Sequence, residues 1–448
     1  MSSLLSPTVR SLSRISLPLM ITTLSGNMMF LLDRLILAHY SVEAMNAAAT
    51  AAMACAIFQL SAVAIASIAE VFVGQYNGAQ EHKKTPEPVW QMIWFSLSLF
   101  LIFWPIATWG APYFLPDTLY TEGNEYFWWI MMFGPLMAVI ASLSAFFIGR
   151  GYAQLVTWSA LTCNILNGGL NVLLVFGIDN CLQPMGAKGA AIATVISQVI
   201  QVIILGMVFL NKHHRETFHT HKWNFNTSTL LSCLKVGTPS AISHMIEIAA
   251  WSTLFRITAA VHLDYITVQT IGNSVLVFFM FVTEGLHKGV VAIASNLIGA
   301  KQEQFIKKLI FSGLKFHAFF MMIFLIPLVL YSDPIVHLFL PGVEASSPLY
   351  QECISILMWV WLYFVFDGVV WILGGILTSG GDTRFMMFMN AAGAWFFAIL
   401  PIYIAIHYFH VKSSTAWGIC IFYAIANMLA FSLRYRSNRW KHTIIQES

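Results

Sequence analysis

The chain has 448 residues, of which 58% are hydrophobic and 10% are charged, and its formal net charge is +3. Soluble domains carry about 25% charged residues, so this composition has too much apolar surface for one soluble core and predicts a protein of the lipid bilayer. The basic residues are spread over short polar connections rather than gathered into one stripe. That distribution argues against a nucleic-acid partner.

Long apolar runs recur along the chain at the length that a membrane-spanning helix needs, about 20 residues for a hydrocarbon core of roughly 30 Å. We therefore predict an all-α, polytopic membrane protein with twelve transmembrane helices. In chain order they lie near residues 13–38, 46–74, 89–111, 125–148, 154–177, 186–210, 229–260, 266–298, 305–331, 349–378, 384–408 and 414–434. The first run is long and contains Asp33 and Arg34, which predicts a retained helix rather than a cleaved leader.

The longest polar connection, residues 211–228, divides the chain almost evenly. It separates a predicted N-terminal lobe, residues 1–210, from a predicted C-terminal lobe, residues 229–448. Nearly all Lys and Arg residues of the loops fall on the side of the two termini, whereas Lys188 and Lys412 fall on the other side. By the positive-inside rule, both termini and the linker are predicted to be cytoplasmic, and we place the protein in a bacterial inner membrane.

Two groups of potentially reactive residues have simple interpretations. Cys181 and Cys353 fall nearer the predicted outer face, and the sequence leaves open whether they pair. The linker holds four histidines that could bind a metal, although a solvated loop needs no such role. These histidines are His213, His214, His219 and His221.

The two halves share landmarks at a constant spacing. Pro18 precedes Gly78 by the same number of residues as Pro239 precedes Gly299, and an amide residue stands before each Gly-Ala pair. In a second repeated pattern, Asn164 and Asn390 each follow a Gly-rich turn. Such duplication is typical of secondary transporters, whose repeats enclose a site near the bilayer midplane. The prolines interrupt the hydrogen bonding of the first helix of each half, so we expect them to act as hinges.

Isolated carboxylates within apolar helices are the main functional candidates, because a charge near the bilayer centre costs on the order of 3 kcal/mol. Glu247 lies near the middle of the seventh predicted helix and Asp367 lies in the tenth, and neither has a Lys or Arg one turn away. Low-dielectric surroundings disfavour a lone charged carboxylate, so such a group readily takes up a proton or binds a cation. This is the chemistry that a proton or sodium carrier requires.

Other intramembrane charges have alternative explanations. Glu284 and Lys288 are one turn apart on one helical face and could neutralise each other, although their role stays open. Glu70, near the end of the second helix, could reach the lipid headgroups. Asp33 in the first helix remains as an acidic candidate of the N-terminal half.

Aromatic residues flank both isolated carboxylates at helical spacing: Trp251 follows Glu247 by one turn, and Tyr363 and Trp371 lie one turn either side of Asp367. An aromatic face attracts a desolvated cation by roughly 2 kcal/mol, so these rings could line a cation site. Ordinary packing is the alternative, because 14% of the residues are aromatic.

Two amides in the fifth predicted helix, Asn167 and Asn171, lie one turn apart. They offer hydrogen bonds to the interior of the first half. A ligand-binding role and a role as polar contacts between helices are equally compatible with this spacing.

Several short motifs, in this order, resemble the multidrug and toxic compound extrusion (MATE) transporters over essentially the full chain, and in particular the NorM-type branch. The motifs are Leu17-Pro18-Leu19 with Asp33, Gln75 to Ala79, Gly186 to Thr194, Gly237-Thr238-Pro239, Gly299-Ala300, Asp367-Gly368 and Gly380 to Thr383. The resemblance implies two six-helix lobes arranged in a V.

The same resemblance implies functional carboxylates at Asp33, Glu247 and Asp367, which match the NorM-type positions in helices 1, 7 and 10. The DinF-type branch has an Asn and an Asp one turn apart in helix 5, and this chain has Asn171 where that Asp would stand. The difference argues against a first-lobe proton site of the DinF kind.

We therefore expect a monomeric antiporter, without a cofactor, that exports small, cationic and amphipathic drugs in exchange for sodium ions or protons. Any metal would be a sodium ion at Glu247 and Asp367. A flippase for a lipid-linked precursor is the alternative, and it would need a cavity rich in Arg and Lys. Since the short loops carry no metal or nucleophile motif, we do not expect an enzyme.

Overall fold

The chain is almost entirely helical in the computed structural model, which describes residues 5–178, 182–441 and 444. Within these ranges no strand forms, and Ile178 and Leu182 share an isolated bridge. The predicted all-α fold is therefore confirmed.

Twelve long helical segments, α1 to α12, make up most of the described chain. They are α1 Val9–Tyr40, α2 Val42–Gly78, α3 His82–Trp109, α4 Asp117–Ile148, α5 Ala153–Phe176, α6 Gly186–Phe209, α7 Thr227–Ala259, α8 Asp264–Gly299, α9 Glu303–Leu330, α10 Pro348–Ser379, α11 Thr383–Phe409 and α12 Ser413–Arg436. All except α7 are both long and apolar enough to cross a membrane. Helix α7 has the length, but polar residues such as Lys235, His244 and Glu247 lower its hydropathy.

Several segments are interrupted where the local sequence disfavours a continuous helix. Segment α2 consists of Val42–Ala66 and Ala69–Gly78, and the second half of α4 begins at Pro135, whose missing N–H is tolerated in a first turn. By contrast, α1 and α7 run without a break through Pro18 and Pro239. The proposed hinge role of these two prolines therefore stays a prediction.

The start of α7 is set by its capping residue. The side chain of Asn226 accepts hydrogen bonds from the backbone N–H groups of Ser228 and Thr229, which would otherwise be unsatisfied. The same side chain donates to Glu87 of α3 at 2.6 Å. The end of the linker is thus tied to the first half of the chain.

Helix packing repeats between the two halves. Helix α1 packs against α5 as α7 packs against α11, and α2 packs against α4 as α8 packs against α10. Likewise, α4 contacts α6 as α10 contacts α12. The predicted pair of six-helix lobes is therefore the architecture of the structure.

The lobes meet through α1 and α2 on one side and α7 and α8 on the other. Their closest approach is at the end of the bundle where α1 begins and α12 ends, which we call the terminal face. A Cβ atom built on Gly78 would lie 2.0 Å from the carbonyl oxygen of Asn296, and one built on Gly299 would lie 1.9 Å from that of Gln75. These backbones touch because neither glycine has a side chain.

The amides that precede the two glycines cross this interface in a symmetric way. Gln75 Nε2 donates to the carbonyl oxygen of Ser379 at 2.8 Å, and Asn296 Nδ2 donates to that of Gly149 at 2.7 Å. Asn77 Nδ2 also donates to Asn296 Oδ1 at 2.5 Å. The repeated glycines and amide residues that revealed the duplication in the sequence therefore form the contacts that close the terminal face.

We predict that Gly299→Ala opens the terminal face, because its new methyl group would meet a backbone carbonyl that cannot turn aside. Overpacking of this kind costs about 1–3 kcal/mol, which would make the interface accessible roughly tenfold more often. The measurement is the rate at which a maleimide labels Ser295→Cys. Ser295 is fully buried opposite Gly74.

The matched control is Gly206→Ala, since a Cβ atom at Gly206 has nothing within 4 Å. Its labelling rate should equal that of the parent Ser295→Cys protein. Equal rates for Gly299→Ala and Gly206→Ala would show that the glycine contact does not hold the face closed.

Candidate cation and substrate site

Asp367 is the most enclosed of the three predicted carboxylates. It lies in α10 with only 9% of its surface exposed, and Trp371 Nε1, one turn later, donates to Asp367 Oδ2 at 2.8 Å. The carbonyl oxygen of Trp371 is in turn 3.0 Å from His287 Nδ1 of α8. The indole of Trp371, which the sequence predicted as part of a cation site, is therefore a hydrogen-bond donor to the Asp367 carboxylate.

Glu247, half-buried in α7, is the other predicted carboxylate of this lobe, and we call the surroundings of Asp367 and Glu247 the second-lobe chamber. It interacts electrostatically with Asp367 and Tyr363 of α10 and with Tyr423 of α12. The helices α7 and α10 are far apart in sequence, and the lobe packing brings their carboxylates together. Two acidic groups in one enclosed space repel each other when both are charged, so the pair favours the uptake of a cation or a proton.

Aromatic rings enclose this pair. Trp251 stacks on Trp417 with ring centroids 6.4 Å apart and meets Tyr423 edge to face at 6.4 Å. Tyr363 packs edge to face on Trp417 at 6.3 Å. Trp417 and Tyr423 were not singled out in the sequence, because the charged residues of α12, Arg434 and Arg436, lie in its last turn and far from both rings.

A histidine that sequence reasoning missed packs against Gly368, the residue that follows Asp367. His317 of α9 is buried, with 4% of its surface exposed. A Cβ atom at Gly368 would lie 2.0 Å from His317 Cε1. The Asp367-Gly368 motif therefore needs its glycine to admit the imidazole ring.

In the first lobe, Asp33 is bound by the two predicted amides. Asn171 Nδ2 of α5 donates to Asp33 Oδ1. With its amide oriented to satisfy both neighbours, Asn167 donates to Asp33 Oδ1 at 3.3 Å and accepts from Thr194 Oγ1 of α6 at 3.2 Å. The structure thus brings Asp33, Asn167 and Asn171 into one cluster and leaves the carboxylate with neutral donors.

The second repeated pattern of the sequence, Asn164 and Asn390, also has a structural counterpart. Asn164 Nδ2 donates to Ser25 Oγ at 2.7 Å in the first lobe, and Asn390 Nδ2 donates to Ser243 Oγ at 3.3 Å in the second. Each bond ties the fifth helix of a lobe to its first helix. The repeat therefore extends to polar contacts inside the lobes.

One expectation about the remaining charges is wrong, and another is refined. Glu70 does not reach the headgroups, because it is 6% exposed and packed where α2 meets α8. Glu284 and Lys288 form no ion pair with each other among the described residues. Instead, Lys288 interacts electrostatically with both Glu70 and Glu284, so its charge is shared between the lobes. The spacing of residues along α8 could not reveal that the Glu70 carboxylate of α2 also interacts with Lys288.

The linker histidines are occupied by local contacts. His214 Nδ1 lies 2.7 Å from the carbonyl oxygen of Val208, and its ring packs on Phe146 and Phe147. Burial there lowers the pKa of His214 below its usual value. Cys353 is buried and forms no disulfide within the described part of the chain, and Cys181 lies outside the described residues.

A duplicated bundle of twelve long helices with carboxylates enclosed in its lobes is the architecture of a secondary transporter. The sequence profile of the MatE family matches residues 18–173 and 239–404, which together cover more than half of the chain. The chain therefore belongs to the MatE family of membrane transporters. The two matched segments begin at Pro18 and Pro239, the landmarks of the duplication.

Curated relatives and solved structures support this assignment. The probable multidrug resistance protein NorM of Neisseria meningitidis serogroup A is 22% identical over 420 residues, covering 91% of this chain and 90% of that protein. An FAD transporter of Shewanella oneidensis is 28% identical over 198 residues, which are 42% of this chain and 41% of that protein.

The fold itself matches known transporters along its whole length. A MATE protein crystallised in complex with MaL6 superimposes with a TM-score of 0.84 at 18% identity, covering 98% of both chains. A MOP superfamily transporter from Pyrococcus furiosus, described as having a binding pocket of reverse polarity, gives a TM-score of 0.82 at 18% identity, with 98% of this chain and 97% of that one covered.

We predict that Trp371→Phe weakens transport although it keeps an aromatic ring, because it removes the N–H donor to Asp367. Trp361→Phe is the matched control: Trp361 lies in the same helix, and its Nε1 donates to the backbone oxygen of Met321 at 3.0 Å. Each substitution removes one indole hydrogen bond, worth about 1 kcal/mol. Initial rates of drug efflux at equal membrane levels should fall for Trp371→Phe and stay near the parent rate for Trp361→Phe. Equal losses would mean that the contact with Asp367 has no special role.

We predict that Asn171→Leu lowers the unfolding temperature more than Asn164→Leu does. The first change leaves the Asp33 carboxylate short of a donor, at a cost of about 1–3 kcal/mol, whereas the second breaks a neutral pair. In an Asp33→Leu background the added cost of Asn171→Leu should largely vanish, as coupled neighbours require. Strictly additive effects would argue against the Asp33–Asn171 hydrogen bond.

Proposed function

We propose that this protein is an antiporter that exports small, cationic and amphipathic compounds in exchange for sodium ions or protons. The observation that supports it best is the chamber in the second lobe, where Asp367 and Glu247 lie on separate helices within a wall of aromatic rings. A desolvated cation is stabilised there by carboxylate charge and by aromatic faces. The coupling ion and the exported cation would compete for the same two carboxylates.

Competition of this kind is enough to couple the two fluxes. When a sodium ion or a proton neutralises Asp367 and Glu247, a cationic substrate loses its counter-charge and dissociates. One elementary charge moving through 100 mV is worth about 2.3 kcal/mol, and each pH unit adds about 1.4 kcal/mol. These gradients therefore supply the free energy of a multidrug export cycle.

The first lobe would have a different part in the cycle. Asp33 Oδ1 accepts hydrogen bonds from the amides of Asn171 and Asn167, which hold the carboxylate in place. We assign it to holding the substrate or to supporting the movement of α1 at Pro18, while the second lobe binds the coupling ion. Pro239 would serve the same purpose in α7.

The orientation follows from the charges on the terminal face. Both termini and the linker, with its Lys and Arg residues, lie there, so we propose that this face is cytoplasmic in a bacterial plasma membrane. The Gly78 and Gly299 contacts then close the transporter towards the cytoplasm. We propose that one chain forms the complete transporter, since each lobe holds its own carboxylate site.

A flippase for a lipid-linked or other amphipathic precursor is the second candidate, and the exposed Lys288 of α8 favours it. The FAD transporter among the relatives carries an anionic cargo by its name. Against this candidate, Lys288 is already balanced by Glu70 and Glu284. An anionic cargo would also meet the repulsion of Asp367 and Glu247.

We predict that Asp367→Asn abolishes drug efflux while the protein still folds and inserts, because the amide keeps the size of the side chain but holds no proton or cation. Glu344→Gln, an exposed carboxylate in the connection before α10, is the control and should behave as the parent. The measurement is ethidium efflux from cells that express equal amounts of each protein. Parent-level efflux by Asp367→Asn would refute the assignment.

The choice between sodium and protons needs purified protein in liposomes. Ethidium uptake should be driven by an imposed sodium gradient or by an imposed pH gradient, and the productive gradient should lose its effect in Asp367→Asn. Failure of both gradients, together with transport of a fluorescent lipid analogue, would favour the flippase instead.

A further inference from the structure

A basic pocket lies at the terminal face, outside the carboxylate chambers. Its volume is about 710 Å³, and it is bounded by the segment before α1, the first turns of α1 and the start of α5. Arg10 and Arg14 of α1 line it together with Arg150, which precedes α5. No Asp or Glu is among the described residues that line it, so three positive charges meet without a protein counter-charge.

Arg150 is the unusual member of this pocket. It is only 7% exposed, and its Nε and Nη1 atoms are buried without a hydrogen-bond partner in the described part of the protein. The guanidinium lies 3.8 Å from the ring centre of Phe218 and 4.6 Å from that of Phe146. Burial lowers the pKa of the Arg150 guanidinium to about 10, so it still carries its charge at neutral pH.

Aromatic faces stabilise this cation, but they do not satisfy its N–H groups. A buried guanidinium with free donors is matched best by an oxyanion with several acceptor oxygens, and phosphate is the usual partner. Thr8 and Ser11, whose hydroxyl groups can donate further hydrogen bonds, also line the pocket. The donor set therefore fits a phosphate group.

Apolar surface continues from the pocket along both helices. In α1, Leu17 and Ile21 are exposed and follow Arg10 and Arg14 on the same helical face. In α5, Trp158 is 69% exposed at the pocket, and Ile165, two turns later, is 77% exposed. A charged end that leads into an apolar stripe has the pattern of a phospholipid, with its headgroup among arginines and its acyl chains along the helices.

We propose that this pocket binds the phosphate group of an anionic phospholipid from the leaflet at the terminal face. The lipid phosphate accepts hydrogen bonds from Arg10, Arg14 and Arg150, and its chains cover the exposed side chains of α1 and α5. This site is separate from the transport chambers, so it stands whether or not the proposed antiport is correct.

The test is native mass spectrometry of the full-length protein in detergent, with phosphatidylglycerol and phosphatidylcholine added in equal amounts. The parent protein should retain phosphatidylglycerol in preference. In Arg10→Gln/Arg14→Gln the affinity should fall about thirtyfold, from the usual contribution of each basic residue near an anionic lipid. Arg436→Gln/Arg439→Gln removes the same charge from exposed residues at and just beyond the end of α12 and should bind as the parent does.

Three results would overturn the proposal. Equal binding of the two lipids by the parent would exclude a headgroup site. Equal loss of binding in both double variants would reduce the effect to overall charge. Full competition by inorganic phosphate at the concentration of the lipid would assign the pocket to a free anion. Because Arg150→Gln could disturb folding, the exposed Arg10 and Arg14 carry the test.

Discussion

The structure depends on a backbone contact between the two lobes. Gly78 and Gly299 each lie so close to a carbonyl oxygen of the opposite lobe that no larger residue fits without displacement. Amides from Gln75 and Asn296 then satisfy carbonyl groups at the ends of α10 and α4. Because apolar burial does not drive helix association within lipid, close backbone approach and satisfied amides are what hold such an interface.

Duplication has produced two lobes with the same packing and different chemistry. In the first lobe, Asp33 Oδ1 accepts hydrogen bonds from two amides, those of Asn171 and Asn167. In the second, Asp367 receives one indole donor and faces a second carboxylate, Glu247. A carboxylate that receives few hydrogen bonds and faces another negative charge is stabilised most by an added cation or proton. This difference supports the proposal that the coupling ion binds in the second lobe.

The charge of Lys288 is balanced across helices as well as within its own helix. Lys288 interacts with Glu70 of the other lobe as well as with Glu284 on its own helix. The i, i+4 rule for charge pairs describes one helix in isolation, whereas α2 and α8 pack against each other where the lobes meet. Separation of the lobes would therefore remove one of the two partners of Lys288, which links the charge balance of the cleft to its conformation.

The sequence by itself determined the membrane location, the helices and the duplication, because apolar runs, the loop arginines and the repeated Pro-to-Gly spacing are local properties. It also singled out Asp33, Glu247 and Asp367, since an isolated carboxylate in an apolar helix is visible without coordinates. Only the tertiary structure decided which groups meet. Trp417 and Tyr423 contact the rings of Tyr363 and Trp251 from a helix distant in sequence. His317 packs against Gly368, and Glu70 is buried where α2 meets α8 of the other lobe. Contacts of that kind depend on how helices pack, which no spacing along one helix encodes.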